Sequence, residues 1–323
     1  MYKKQRLAGI TLSFIISASL LAGCGNESNS TASTATATTA NAAAKPFERV
    51  IQHAAGETTL TKEPSRIALL DYSYADYVAA LDVKPTATVT FVENEMPPYL
   101  ADRLTDVQSI GAINAINLEA LMETQPDLII GVSPSQEKTY DQMSQIADTI
   151  LLDQAAFDWR KSLTEFGTIL GKEEKAQQVI ADYDKKAEEA REEVAQAVGD
   201  QTVMFLRVTA KEYRVYGNIS PSGSVLYGDL GLKAVPGVDM NQKQAAISME
   251  MLPELNPDHI FLLAGDDKKI KELQESALWK NLNAVKNNHI YPVDQRLWIQ
   301  GEGPLASETM LEEAVQALTN KSE

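Results

Sequence analysis

Two periodicities alternate along this chain. Short aliphatic and β-branched runs at 66–70, 86–89, 128–132, 149–152, 203–208, 214–216, 259–263 and 289–293 predict strands, most of them apolar enough to be buried on both faces. Between them, apolar residues return at helical spacing at 75–81, 140–146, 225–230 and 305–318. Strands that alternate with helices predict parallel sheets and an α/β class. One stretch differs from the rest. Glu173–Val198 is polar and strongly helix-forming, with apolar residues at Ala176, Val179, Ile180, Tyr183, Ala187, Ala190, Val194 and Ala197. So narrow and alanine-rich a stripe would make a weak coiled-coil seam. It predicts instead a single rod of about 39 Å, strapped across two lobes and limiting how far they hinge.

The two halves share a pattern 131 residues apart. Ile116-Asn117-Leu118-Glu119-Ala120-Leu121 precedes Pro126-Asp127-Leu128-Ile129-Ile130, and Ile247-Ser248-Met249-Glu250-Met251-Leu252 precedes Pro257-Asp258-His259-Ile260-Phe261. In each copy a polar residue, Asn117 or Ser248, is placed to cap a short helix with Glu in its first turn. The Pro-Asp pair then ends the helix and opens a strand. The expected organisation is an N-terminal lobe at 46–156, a helical connector at 157–200 and a C-terminal lobe at 201–323, each lobe a parallel-type sheet flanked by helices.

Ahead of the lobes, Lys3, Lys4 and Arg6 lead into an apolar run at 7–21 that is short for a membrane span and ends in small residues. Residues 1–23 therefore read as a signal peptide. Leu21-Ala22-Gly23-Cys24 resembles a bacterial lipobox, in which Cys24 takes a diacylglycerol before cleavage. Two acyl chains suffice for stable anchoring. From Cys24 to residue 45 the chain has no apolar periodicity and reads as a flexible tether. The expected location is the extracytoplasmic face of the cell membrane, held by the lipid.

Composition removes whole classes. With 29 basic against 45 acidic residues the net charge is −16, which disfavours a nucleic-acid surface. A lone cysteine excludes an intrachain disulfide, and His53, His259 and His289 are not at metal-ligand spacing. The chain has no Gly-x-Ser-x-Gly, His-Glu-x-x-His or Walker loop. Gly301-x-Gly303-x-x-Ala306 is a partial dinucleotide fingerprint, but too little chain follows it for the βαβ unit that gives the motif meaning. A binding protein without a cofactor is expected rather than an enzyme.

Taken together, these features resemble the siderophore-binding lipoproteins of bacterial ABC importers. The likeness rests on Asn117-Leu118-Glu119 with Gln125-Pro126-Asp127, on Phe205-Leu206-Arg207-Val208, and on Arg214-Val215-Tyr216-Gly217. It continues through Ser224-Val225-Leu226-Tyr227-Gly228-Asp229 and Leu297-Trp298 with Gly301-Glu302-Gly303-Pro304. The resemblance implies a fold of the type III periplasmic-binding-protein kind: two lobes joined by one long helix. It also implies a monomer that holds a ferric siderophore in the interlobe cleft and delivers it to permease subunits coupled to an ATPase. The chelator fills the iron's coordination shell, so the protein supplies no metal ligand.

Site residues follow partly from strand position and partly from that likeness. Arg207 ends a strand, where α/β ligands sit, and matches a basic ligand position of the family. Arg214 and Tyr216 share a face of the next strand, offering a guanidinium fork and an aromatic ring. Gln242 and Gln244 fall on a loop that contacts ligand in the family. Arg296 and Trp298 follow the last strand, where Trp298 is placed to cap the chelate. In the first lobe Tyr72, Tyr74 and Ser133 are cleft candidates by position. Glu119 and Glu250 correspond to carboxylates that dock such proteins onto the permease. Ile113, Pro134 and Thr209 stand where tris-catecholate binders carry basic residues. A hydroxamate or citrate-hydroxamate chelate is therefore favoured, with ferric citrate next; cobalamin and haem remain alternatives on the same fold.

Overall fold

A computed structural model describes residues 47–90, 96–153 and 158–319; the signal, lipobox and tether lie outside them. An antiparallel hairpin of β1 (Arg49–His53) and β2 (Gly56–Leu60) comes first. It is followed by β3 (Ile67–Leu69), β4 (Ala87–Thr90), β5 (Gln108–Ala112), β6 (Ala115–Ile116), β7 (Leu128–Ser133) and β8 (Asp148–Asp153). These form one sheet in the order β6-β5-β4-β3-β7-β8, parallel except for β6. A second sheet contains β9 (Thr202–Val208), β10 (Tyr213–Tyr216), β11 (Lys233–Ala234), β12 (Gln244–Ile247), β13 (His259–Ala264) and β14 (Ile290–Pro292). Its order is β12-β10-β9-β13-β14, with β11 also beside β9; β10 alone runs against the others, pairing antiparallel with both β9 and β12. Every strand expected from the apolar runs is present to within one residue. Among the described residues no helix is long and apolar enough to cross a membrane.

The internal repeat has a structural cause. Asp127 accepts hydrogen bonds from the amides of Ser65 and Arg66 and from the Ser65 hydroxyl, fastening the start of β3 to that of β7. Asp258 accepts from the amide and hydroxyl of Thr202 and from Asn283, fastening β9 to β13 in the same way. Burial pushes both carboxyls up, but these donors outweigh it and hold them below the usual carboxylate range. Gln125 and Asn256, one residue before each proline, both take positive φ, which stops the preceding helix. The capping expectation holds only in the first copy. Asn117 accepts from the amides of Glu119 and Ala120 at 3.0 and 3.1 Å. Ser248 makes no such bond; its copy opens with a tight 3₁₀ turn, Met249–Met251, and its hydroxyl serves the Glu250 carboxylate.

The helix Glu173–Val198 is continuous, and its buried stripe runs through Ala176, Tyr183, Ala187, Ala190 and Val194 to Val198. Ala197 is exposed, one residue out of the expected register. This rod packs on the helices Trp159–Leu170 and Pro304–Thr319 and on the π-wound turn Ser224–Asp229. Arg160 clamps the junction, bonding Asp184 and Asp229 while lying over the rings of Trp159 and Tyr183. One apolar core runs without a break from Leu69 and Phe166 to Phe205, Phe261 and Trp298, so the two sheets share it. The outer faces have separate cores, around Ile129 and Met143 in one sheet and Leu206 and Trp279 in the other.

The last helix, Pro304–Thr319, follows the second sheet in sequence but lies against the helix Tyr74–Ala80 of the first half. Asp76, wholly buried, accepts from the amides of Leu305 and Ala306 at 2.9 Å each. A Cβ on Gly303 would lie 2.2 Å from that carboxyl carbon, so only glycine lets the chain enter the helix here. Tyr77 donates to the Glu302 carbonyl at 2.7 Å. The turn Gly301–Pro304 is thus pinned by the opposite lobe.

Candidate ligand cleft

On the inner face of the second sheet, antiparallel pairing sets Arg207 of β9 directly opposite Arg214 of β10, and Tyr216 opposite Gln244 of β12. Like charges facing across a strand pair repel. Arg214 is relieved by Glu212, which accepts from its Nε at 2.6 Å. Arg207 is not. Its guanidinium makes two long hydrogen bonds, to the Tyr216 hydroxyl at 3.4 Å and to Gln295 at 3.3 Å. Its Nε is buried without a partner. These residues line a cavity of about 230 Å³ together with Ser220, Ser222, Lys243, Trp298 and Ile299. The turn beneath it needs glycine, because a Cβ on Gly223 would lie 1.9 Å from the Gly217 carbonyl oxygen.

A larger cavity of about 620 Å³ faces it from the first lobe, and Lys243 lines both. Asp71, Tyr74 and Tyr77 contribute to its wall, with Asp153, Asp158, Lys161 and Glu165 around the start of the helix Trp159–Leu170. Glu302 enters from the pinned turn. Burial pushes Glu302 up; Lys243 opposes the shift, and Asp71 adds to it. Burial likewise raises Glu165. One wall of the cleft is acidic and the other basic.

Of the residues chosen from sequence, Arg207, Arg214, Tyr216, Gln244 and Trp298 come together around the smaller cavity, and Tyr74 lines the larger. Two of them differ from expectation in role. Trp298 is fully buried, packed on Phe205 and Phe261, and its indole N–H donates to Glu313 at 2.7 Å. It is a floor, not a cap. The Tyr216 ring is stacked on Phe205 at 4.8 Å and 3% exposed, so its face is unavailable to a ligand.

The others fall outside both cavities. Tyr72 packs with the outer-face core of the first sheet. Ser133 is buried and donates to Glu137 at 2.5 Å. Gln242 bonds Asp239, and Arg296 folds back on Asp294 at the mouth of its short helix. Lys243, Ser222, Asp71 and Glu302 were not singled out from sequence. Lys243 sits between two glutamines that were, and its neighbours gave no periodicity to orient it. Glu119 and Glu250 are both exposed, each in the first turn of its copy of the repeat. Among the described residues no group of three or more His, Cys, Asp or Glu is placed to hold a metal ion.

A two-lobed α/β fold with a shared core, a strapping helix and a cleft of opposed charge defines a class of solute-binding proteins. The chain belongs to the periplasmic binding protein family, whose model matches residues 67–297. It is 31% identical to the iron(3+)-hydroxamate-binding protein FhuD of Bacillus subtilis, over 98% of each chain. Staphylococcus aureus SirA, solved with staphyloferrin B, is similar in structure, with a TM-score of 0.71 and 29% identity over 83% of this chain and 98% of that one. So is the triscatecholate siderophore-binding protein FeuA of Bacillus subtilis with ferri-bacillibactin, at a TM-score of 0.68 and 29% identity over 84% and 99%.

Proposed function

We propose that this protein captures a ferric siderophore in the cleft between its lobes and delivers it to an ABC permease. The observation that carries the reading is Arg207, a part-buried guanidinium with an unpartnered Nε, opposite a second arginine and beside Lys243. A cation so placed is compensated when an anionic ligand arrives. Iron would remain cargo inside its chelator, and the protein acts by binding, not by catalysis. The acidic first-lobe wall disfavours a multiply charged tris-catecholate, which keeps hydroxamate and citrate-hydroxamate chelates in front and ferric citrate behind them.

Cys24 would carry the lipid that holds the protein at the extracytoplasmic face, and the protein would act as a monomer. Glu119 and Glu250 would meet basic residues on the two permease subunits. The test is quenching of tryptophan fluorescence, since Trp298 floors the pocket. Titration with ferric hydroxamates, ferric citrate, ferric catecholates, haem and cobalamin should give saturable quenching with a ferric chelate and none with its iron-free form. Saturation only by haem or cobalamin would replace this reading with another cargo.

A further inference from the structure

The repeat carries more than one exposed carboxylate per copy. Glu123 and Glu254 stand at the same 131-residue offset as Glu119 and Glu250, and all four are exposed. In the first copy Met122 and Glu123 follow Glu119 by three and four residues on the helix Leu118–Glu123. In the second, Met251 and Glu250 precede Glu254 by three and four residues, where the turn Met249–Met251 runs on into the helix Leu252–Leu255. Residues so spaced adjoin on a helix surface, so each copy presents two carboxylates beside one methionine. Met122 is 56% exposed and Met251 40%; Val50 and Ile219 are the other exposed large hydrophobics among the described residues. One exposed methionine by itself signifies little. Here the same three side chains recur on both lobes. Like charges one turn apart repel, and neither copy, 116–127 or 247–258, contains a lysine or arginine to offset them. On another exposed helix lysines stand one turn from the glutamates, as in Lys268–Glu272 and Lys271–Glu275. Neither the bare charges nor the exposed methionines help the chain to fold.

We propose that Met122 and Met251 are apolar anchors for the two permease subunits, each entering a recess on its subunit, with Glu123 and Glu254 as second carboxylates beside them. The inference rests on the docking of Glu119 and Glu250 proposed above and adds these four residues to it. Charges at the rim of an interface steer and register the encounter, while a desolvated anchor at its centre holds the complex. Methionine suits a contact made and broken in every transport cycle, because its unbranched thioether refits irregular surfaces. The partner that fits is a protein surface with basic side chains bordering an apolar recess, once for each lobe. An anionic lipid surface would repel both patches.

The experiment measures uptake of radioiron, supplied as the tightest-binding ferric chelate, by cells that carry each variant at wild-type abundance. Chelate affinity and melting temperature are taken on the purified proteins. Met122→Ser with Met251→Ser should slow uptake about tenfold, as for loss of an interface anchor, and Met122→Leu with Met251→Leu should stay within about twofold of wild type. Glu123→Gln with Glu254→Gln should slow it about threefold, as for rim charges. In all three, chelate affinity should stay within about twofold and the melting temperature should not fall, since the side chains are exposed. Uptake by the serine variant within twofold of wild type, a leucine variant as slow as the serine one, or lost chelate affinity in the serine variant would overturn the anchor assignment alone, provided Glu119→Ala with Glu250→Ala is defective. Normal uptake by the glutamine variant would remove the second carboxylates from the interface. Normal uptake by the Glu119 and Glu250 variant would overturn the docking reading and this proposal with it.

Discussion

Asp76 ties the first lobe to the start of the last helix, and replacing it by alanine should destabilise the protein measurably. Its two oxygens accept the amides of Leu305 and Ala306 at 2.9 Å, and Tyr99 donates a third bond. Each amide left buried and unpaired costs about 1–3 kcal/mol, so Asp76→Ala should lose about 3–5 kcal/mol in all. At about 2–4 °C per kcal/mol for a domain of this size, the melting temperature should fall by about 6–20 °C. The pH dependence adds a second check. Burial pushes the Asp76 carboxyl up to about 7 despite its donors. Between 3.8 and about 7 the folded chain holds a proton that the unfolded chain has released, so this group's contribution falls as pH rises through that window. Asp76→Asn does not titrate, so its stability gap to wild type should narrow between pH 5 and pH 8. Thermal unfolding followed by circular dichroism reads both effects. An Asp76→Ala shift under about 2 °C, or a gap that widens with pH, would refute the reasoning.

His259 is stacked on His289 at 4.3 Å and bonded to Gln201 and Tyr291, and burial first, then His289, lowers it to about 4. Its contribution to stability is complete above 6.5 and is lost as pH falls toward 4; His259→Gln should therefore flatten the acid limb of a pH–stability curve by up to about 3 kcal/mol. An unchanged limb would show that His259 does not control it. Glu119→Ala with Glu250→Ala should strongly reduce ferric chelate uptake by cells at wild-type protein abundance, while chelate affinity of the purified protein stays within about twofold. Normal uptake would leave these exposed carboxylates with no docking role.

The apolar runs at 128–132 and 259–263 were legible because a parallel strand buried on both faces has to be apolar almost throughout. The rod Glu173–Val198 was legible from a single stripe, although its last contact fell on Val198 in place of Ala197. The repeat was visible as letters, but its reason was not: Asp127 and Asp258 reach residues 62 and 56 positions away in the chain. The strands β5, β6 and β12 were missed, being short and at least half exposed. At the site, alternation along β10 placed Arg214 and Tyr216 on one face, but the register that opposes Arg214 to Arg207 is a property of the pairing. Ser222 and Lys243 depend wholly on tertiary placement. Trp298 was misread because a position after a strand says nothing about depth, and here two aromatic neighbours and Glu313 take the ring inward.

The central claim is that a ferric chelate is held in the cleft by Arg207, and calorimetric titration of wild type and Arg207→Ala tests it most directly. Arg207 makes only two long hydrogen bonds in the unliganded protein, so its loss should little affect folding. Removing a charge-assisted partner from a desolvated site typically costs about 2–4 kcal/mol, or roughly 30- to 1000-fold in dissociation constant. Arg207→Ala should show a loss in that range for the tightest-binding ferric chelate, with the melting temperature of the unliganded variant close to wild type. A dissociation constant within about threefold of wild type would contradict it, because the chelate would then bind without the part-buried guanidinium that lines the cleft.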